Sequence, residues 1–455
     1  MKKVEEMHGG AKREAIELRT NIQLLEDDIK IKGTIYYVSE HGDDKNTGNS
    51  ISTPIKTISR INQLECSEGD AILFERGGLF RTEETLQIRS GITYGTYGLG
   101  SKPIISGSAC NYAQDAIWTS TEYQNVWKTS VYGECGVMTF NDDTSFGVRK
   151  YSIEELSENE EYYHDLNNHE LYLYSNNNPC EAYEQIEMGT LKDLLVGFHA
   201  NDVTIHNLSF KYTANHAISL GDNRDIVIQG CEIGWIGGKI YNEKTGVRLG
   251  NGIQIWNECH RVKVDHCYIY QVYDAAFTFQ GRYPEGNSYT DVEFTNCLIE
   301  YCSMNFEFWG SDQSPGNMDS GDLVEIKNIL CKDNIFRFAG YGWSGVQRPD
   351  KGNQAFLLGW RYTYQPGKVS NFVICDNIFD TADCHFVWSE LIFELQGNTY
   401  YQSDMSGRNS NVEIRRGLDI VAMDQNSFEE GIQTFDGKAK KIKWLQDKGR
   451  SSDYE

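Results

Sequence analysis

A glutamate stands among bulky apolar residues in Asn305-Phe306-Glu307-Phe308-Trp309, and an aspartate precedes two small residues in Tyr273-Asp274-Ala275-Ala276. In an alternating strand Glu307 faces away from the side that Phe306 and Phe308 occupy, where a charged side chain has no packing role. An acid flanked by Trp309 and Tyr301 is set to have its pKa raised, as a proton donor requires. Asp274, left accessible by Ala275 and Ala276, is the candidate second carboxyl group. One carboxyl giving a proton and another acting as nucleophile or water-activating base is the chemistry of glycosidic-bond cleavage. Asp265, Glu258 and Asp312 compete with Asp274 for the second role, and the spacing leaves retention or inversion open.

The elements that must position these groups are short strands that recur. The copies include Ala217-Ile218-Ser219-Leu220-Gly221, Gly252-Ile253-Gln254-Ile255-Trp256, Ala276-Phe277-Thr278-Phe279-Gln280, Asn305–Trp309, Ala355-Phe356-Leu357-Leu358-Gly359-Trp360 and His385-Phe386-Val387-Trp388. Alternation sends Ile218, Ile253, Phe277 and Phe306 inward, with Leu220, Ile255, Phe279 and Phe308. The residues between them form two outward columns. One is Ser219, Gln254, Thr278 and Glu307; the other is Gly221, Trp256, Gln280 and Trp309, with Trp360 nearby. Flat indole faces beside polar amides suit the apolar faces of sugar rings, so Gln254, Trp256, Thr278, Gln280, Trp309 and Trp360 are candidate substrate contacts. Trp343, Arg348 and His216 complete that set. Arg348 is also placed to pair with Asp350 across a turn.

A second series fixes the repeat. Asn207-Leu208, Gly230-Cys231, His266-Cys267, Asn296-Cys297, Asn334, Asn377 and Asn398 each follow or open a short apolar strand. A unit of this kind cannot bury its inner face alone, so successive units must stack. The expected fold is all-β, a right-handed parallel β-helix whose rungs rise by about 4.8 Å. An N-terminal cap and a small antiparallel β insertion complete it. The expected segments are an N-terminal charged helix or extension over 1–33, the cap and first coils over 34–110, the insertion over 111–190, the main coils over 191–402 and a polar C-terminal tail over 403–455, which ends as a loose tail or a short helix. Within the first, Ile16, Leu18, Ile22, Leu25 and Ile29 read as one face of an amphipathic helix over 11–29.

Composition agrees: 43 Gly and 27 Tyr against 7 Pro suit many short strands and tight turns. A net charge of -24 disfavours nucleic acid, which needs clustered Lys and Arg. No transmembrane run is present, and no membrane partner is expected. The spacing of the 12 cysteines matches no zinc motif, and Cys231, Cys267 and Cys297 read as buried free thiols. The first thirty residues lack a secretory signal pattern, which implies a cytoplasmic protein, or a secreted one whose leader has been removed. No cofactor is expected for the hydrolytic reading.

Several motifs carry a resemblance. Ile35–Gly48, Pro54–Ile58 and Gly69–Gly78 are similar in order to the first coils of β-helix enzymes acting on polysaccharides. Ile236-Gly237-Gly238, Asn251–Trp256 and Gly340–Asp350 resemble motifs of β-helix glycoside hydrolases, the lacto-N-biosidase type included. The resemblance spans Tyr36 to Tyr400 and implies a glycosidase acting on an oligosaccharide or polysaccharide. Relatives commonly carry Glu where this chain has Gln254, so if that Glu is catalytic in them this protein differs in mechanism or is inactive. Two other readings compete: a polysaccharide lyase, with calcium held by acids such as Asp222, Asp225 and Asp265, and a non-catalytic glycan-binding solenoid.

Overall fold

The computed structural model describes residues 9–242, 244–281, 288–310, 324–349, 352, 354–360, 368–389, 393–403, 412–417 and 419–445. Within them almost all regular structure is strand, arranged as an 18-stranded and a 10-stranded sheet with smaller sheets beside them. Each repeat contributes three segments, such as Glu232–Ile236, Ile253–Trp256 and Cys259–Asp265. The first joins the shorter sheet; the other two belong to one long strand of the longer sheet, bent where its partner's register slips between Gly221 and Asn223. Every segment pairs in parallel with its counterpart one repeat later.

The interior explains why the repeats stack. Ile218, Ile253, Phe277 and Phe306 are fully buried and lie side by side, as do Leu220, Ile255, Phe279 and Phe308. Phe277 and Phe306 stack at 5.2 Å, a contact worth about 0.5–1.5 kcal/mol beyond the area it buries. The corner residues Asn207, Gly230, His266, Asn296, Asp333, Asp376 and Gly397 all adopt φ between 50° and 67°. Asn, Asp and Gly enter that left-handed region at low cost. One position on, Cys231, Cys267 and Cys297 are buried free thiols, followed by Asn334, Asn377 and Asn398. Each of these asparagines accepts from the backbone N–H of the preceding layer at 2.9 Å, and Asp436 ends the series by accepting from Asn398.

One terminal expectation needs correction, and the other resolves between its alternatives. The N-terminal helix runs over Lys12–Gln23, not to residue 29, and Ala11, Ala15 and Ile22 dock it against Tyr268, Leu298 and Ile335 while Ile16 stays exposed. Beyond it, Asp27 binds Arg76, Thr96 and Asn207, which holds the chain extended. Of the two C-terminal alternatives, the loose tail is excluded for residues 419–445 and a short helix is present, docked rather than free. The helix Phe428–Phe435 buries Phe428, Ile432 and Phe435 in the main core, and Lys441–Leu445 extends the shorter sheet. The three aromatic and aliphatic residues at i, i+4 and i+7 supply the apolar stripe that covers the last repeat.

Strands Val126–Ser130, Glu161–Asp165 and Glu170–Tyr174 pair antiparallel and enclose a separate core that includes Trp118, Phe140, Tyr162 and Leu173. This unit reaches the main body through Gln347, which donates to the Gly147 carbonyl and accepts from the Arg149 N–H and the Arg248 guanidinium.

Candidate active site

The outward columns are in register. Ser219 pairs with Gln254, Gln254 with Thr278, Thr278 with Glu307 and Glu307 with Leu358. Beside them run Gly221, Trp256 and Gln280, with Trp309 opposite Trp360 one strand further on. Trp256, Gln280 and Trp309 are half-buried. The strand places Trp360 in this column; its side chain lies outside the described residues.

Glu307 faces outward yet is only 5% exposed, so it is not a solvated surface acid. Thr278 Oγ1 donates to its Oε2 at 2.8 Å. Burial and the negative charge of Asp274 push the Glu307 carboxyl up to about 7, against the opposing pull of the Thr278 hydroxyl, the Trp309 indole and the Arg348 guanidinium. Tyr301 takes no part in this, contrary to expectation: it sits in a corner facing the other sheet, stacked on Phe338. The apolar surroundings come from Met304, Ala275, Ala355 and Leu358, which cluster on the outer face.

Asp274 lies at the start of the neighbouring strand, Ala275–Gln280. Its N–H donates to the Gly250 carbonyl and its own carbonyl accepts from Met304. Gly250, with φ of 142°, passes so close to Gly237 that a Cβ would stand 2.1 Å from the Gly237 Cα. The Gly237-Gly238 motif therefore has a physical role, since only two glycines allow this crossing under Asp274. Arg348, at the end of the helix Gly342–Gln347, donates from one Nη1 to Asp274 Oδ1 at 2.7 Å and to the Tyr273 carbonyl at 3.1 Å. It pairs with Asp274 where the sequence suggested Asp350, which lies outside the described residues.

The other expected contacts separate. Gln254 accepts from Asn251 and from Gln280, joining both columns. His216 Nδ1 accepts from the Asn251 N–H, and burial lowers the ring pKa to about 4, so it is neutral. Trp343 is not a platform for a ligand: it is 1% exposed, packs on Tyr273 and gives its indole N–H to the Gln271 carbonyl. A tryptophan on a short glycine-flanked helix carries no facing information in sequence. Among the rival acids, Asp265 is buried, and hydrogen bonds from His266, Asn296, Thr295 and Gln229 hold its carboxyl well below the usual range despite burial. Glu258 lies between Arg224 and His260, Asp225 pairs with Arg261 and Asp222 accepts from Asn257. Asp312 lies outside the described residues.

Two residues escaped the sequence reading. Asn251 links His216, Gln254 and the Ala275 N–H, and its signal is its place three residues before Gln254. Phe198, 43% exposed, stands in register with Gly221, so the aromatic column begins one repeat earlier. The pattern Leu195-Val196-Gly197-Phe198 matches the later copies. A Cβ on Gly221 would meet the Phe198 ring at 2.5 Å, so this glycine makes room for it.

No family model matches the chain. A lacto-N-biosidase of Bifidobacterium longum subsp. longum is 30% identical over 126 residues, 25% of this chain and 8% of that protein. The chain therefore spans a small fraction of this relative's length. Among solved structures, a glycoside hydrolase superposes with a TM-score of 0.51 at 11% identity, covering 81% of this chain and 88% of the other. A lacto-N-biosidase of Eubacterium ramulus gives 0.44 at 13%, covering 91% and 67%. The architecture is thus one that a glycoside hydrolase also uses.

Proposed function

We propose that the protein is a glycoside hydrolase built on a capped, right-handed parallel β-helix, with Glu307 as proton donor and Asp274 as nucleophile or water-activating base. The observation that carries this reading is the buried, outward-facing Glu307, poised near neutral pH beside the Asp274–Arg348 ion pair. An acid still partly protonated near neutral pH can donate its proton to the leaving oxygen. A neighbouring carboxylate stabilises the charge that develops on the sugar ring. Trp256 and Trp309 supply flat surfaces for sugar rings on either side of Gln280, and Gln254 and neutral His216, both held by Asn251, supply hydrogen bonds to hydroxyl groups. The lacto-N-biosidase among the sequence matches supports an oligosaccharide as the substrate class.

The test is a panel of neutral and acidic glycans digested with the wild type, Glu307→Gln and Asp274→Asn. Hydrolysis by the wild type, reduced at least about a hundredfold in each variant, is the expected outcome for a true acid and base. Unsaturated products would mark a lyase, and binding without product a lectin-like role. Full activity in both variants would remove the site assignment.

A further inference from the structure

We propose that Gln347 is a positioning residue for the acid pair: through it the β insertion holds the Arg348 guanidinium on Asp274. The proposal rests on the reading of Glu307 and Asp274 as the reacting carboxyl groups. Asp274 is placed by the strand Ala275–Gln280, whereas Arg348 follows a helix of only six residues, Gly342–Gln347. A helix this short does not hold itself in water. It must be fixed from outside, and each end has its own anchor.

At the first end, Trp343 gives its backbone N–H to Gln271 Oε1 at 3.0 Å and its indole N–H to the Gln271 carbonyl at 2.8 Å. Gln347 is the counterpart at the last turn. Its Nε2 donates to the Gly147 carbonyl at 2.9 Å, and its Oε1 accepts from the Arg149 N–H at 3.1 Å and from Arg248 Nη1 at 2.9 Å. The receiving segment is itself fixed. Gly147 gives its N–H to the Met138 carbonyl at 2.9 Å, and Arg149 pairs with Glu134 at 2.8 Å.

These contacts close a circuit around Asp274. Arg248, 2% exposed, lies 4.5 Å over the Tyr273 ring and also donates to the Gly238 and Gly136 carbonyls. Tyr273 precedes Asp274, its carbonyl accepts from Arg348, and Arg348 follows Gln347. The path therefore runs from Gln347 through Arg248, Tyr273 and Asp274 to Arg348 and back along the main chain. Among the described residues Gln347 bonds to neither carboxyl group, so it acts through Arg348. Cutting the tie frees the end of the helix that carries the guanidinium and leaves both carboxyl groups on their strands. A displacement of about 1 Å at that distance from the chemistry can cost up to about a hundredfold in rate.

The experiment is a double-mutant cycle of Gln347→Leu and Arg348→Met, read by hydrolysis and by titration of Glu307. The titration needs no substrate: it follows the carboxyl NMR signal of isotope-labelled glutamate that Glu307→Gln removes. Asp274 and Arg348 are the charged groups that bear on Glu307, the first raising its proton affinity and the second lowering it. Gln347→Leu should therefore move the Glu307 midpoint upward by about 0.5 in pH. It should also lower kcat about tenfold with KM unchanged. In the Arg348→Met background it should change neither quantity. Gln347→Ala leaves room for water at the Arg149 N–H and the Arg248 guanidinium, so it replaces Gln347→Leu if that variant fails to fold, with the same direction expected. An unmoved midpoint in the folded variants, or losses of kcat that multiply in the double variant, would mark a merely structural role and overturn the proposal. A midpoint shift that Arg348→Met cancels, in a protein that hydrolyses no glycan, would leave this tie standing and sink only the hydrolase reading.

Discussion

On the face that carries Glu307, the carboxyl group lies between Thr278 and Leu358 with an apolar cluster beside it, and burial dominates its titration. On the face that carries Glu232 and Glu300, each carboxylate accepts a tyrosine hydroxyl and one is clamped by Arg337. Both faces come from the same repeat and the same alternation of side chains. What sets Glu307 apart is its apolar cover and a like charge, because it too accepts from Thr278 but burial and the neighbouring Asp274 make it keep its proton to a higher pH.

That contrast can be broken experimentally. Glu307→Gln is expected to have the largest effect, with the loss already stated, while its fold is retained. Arg348→Met should lower kcat by about ten- to a hundredfold, because Asp274 loses its orienting partner. It should also move the basic limb of the pH profile upward, since the guanidinium is one of the groups that favour ionised Glu307. In the wild type, that limb of kcat/KM should fall as pH rises through about 7, where the donor loses its proton. An activity that rises through this range would assign Glu307 a different role.

The same titration reaches stability. A carboxyl raised from 4.5 to about 7 binds its proton more tightly in the folded protein, so folding stability declines as pH rises between those values. Glu307→Gln removes that decline and should leave the variant more stable than the wild type at pH 8 in denaturant unfolding. The smallest effect is expected at the end of the aromatic column. Phe198→Ala should raise KM about fivefold for substrates long enough to reach it, with kcat unchanged and shorter substrates unaffected. Equal losses for all lengths would detach Phe198 from the binding surface.

Legibility followed the repeat. Phe277, Phe279, Phe306 and Phe308 announce the inner face by alternation alone, and the register of Gln254, Thr278 and Glu307 follows from it, because a slip of one residue would turn every phenylalanine outward. Trp343 and Tyr301 were misplaced because both sit at corners, where the period of two is broken and nothing in the spacing gives direction. The tie through Gln347 left no trace in the spacing, since its partners Gly147, Arg149 and Arg248 lie 99 to 200 residues away. The docking of the C-terminal helix gives little signal in sequence, because its large buried residues Phe428, Ile432 and Phe435 are spread among acids and glutamine.

Local periodicity by itself determined the stacking of the strands, the inward apolar ladder and which face Glu307 occupies, since each depends only on alternation along a strand. Tertiary structure alone decided that Glu307 is covered, that Arg348 crosses 74 residues to reach Asp274 and that Trp343 is buried. Burial and ion pairing arise from residues far apart in the chain, and a carboxyl group's proton affinity is set by what surrounds it.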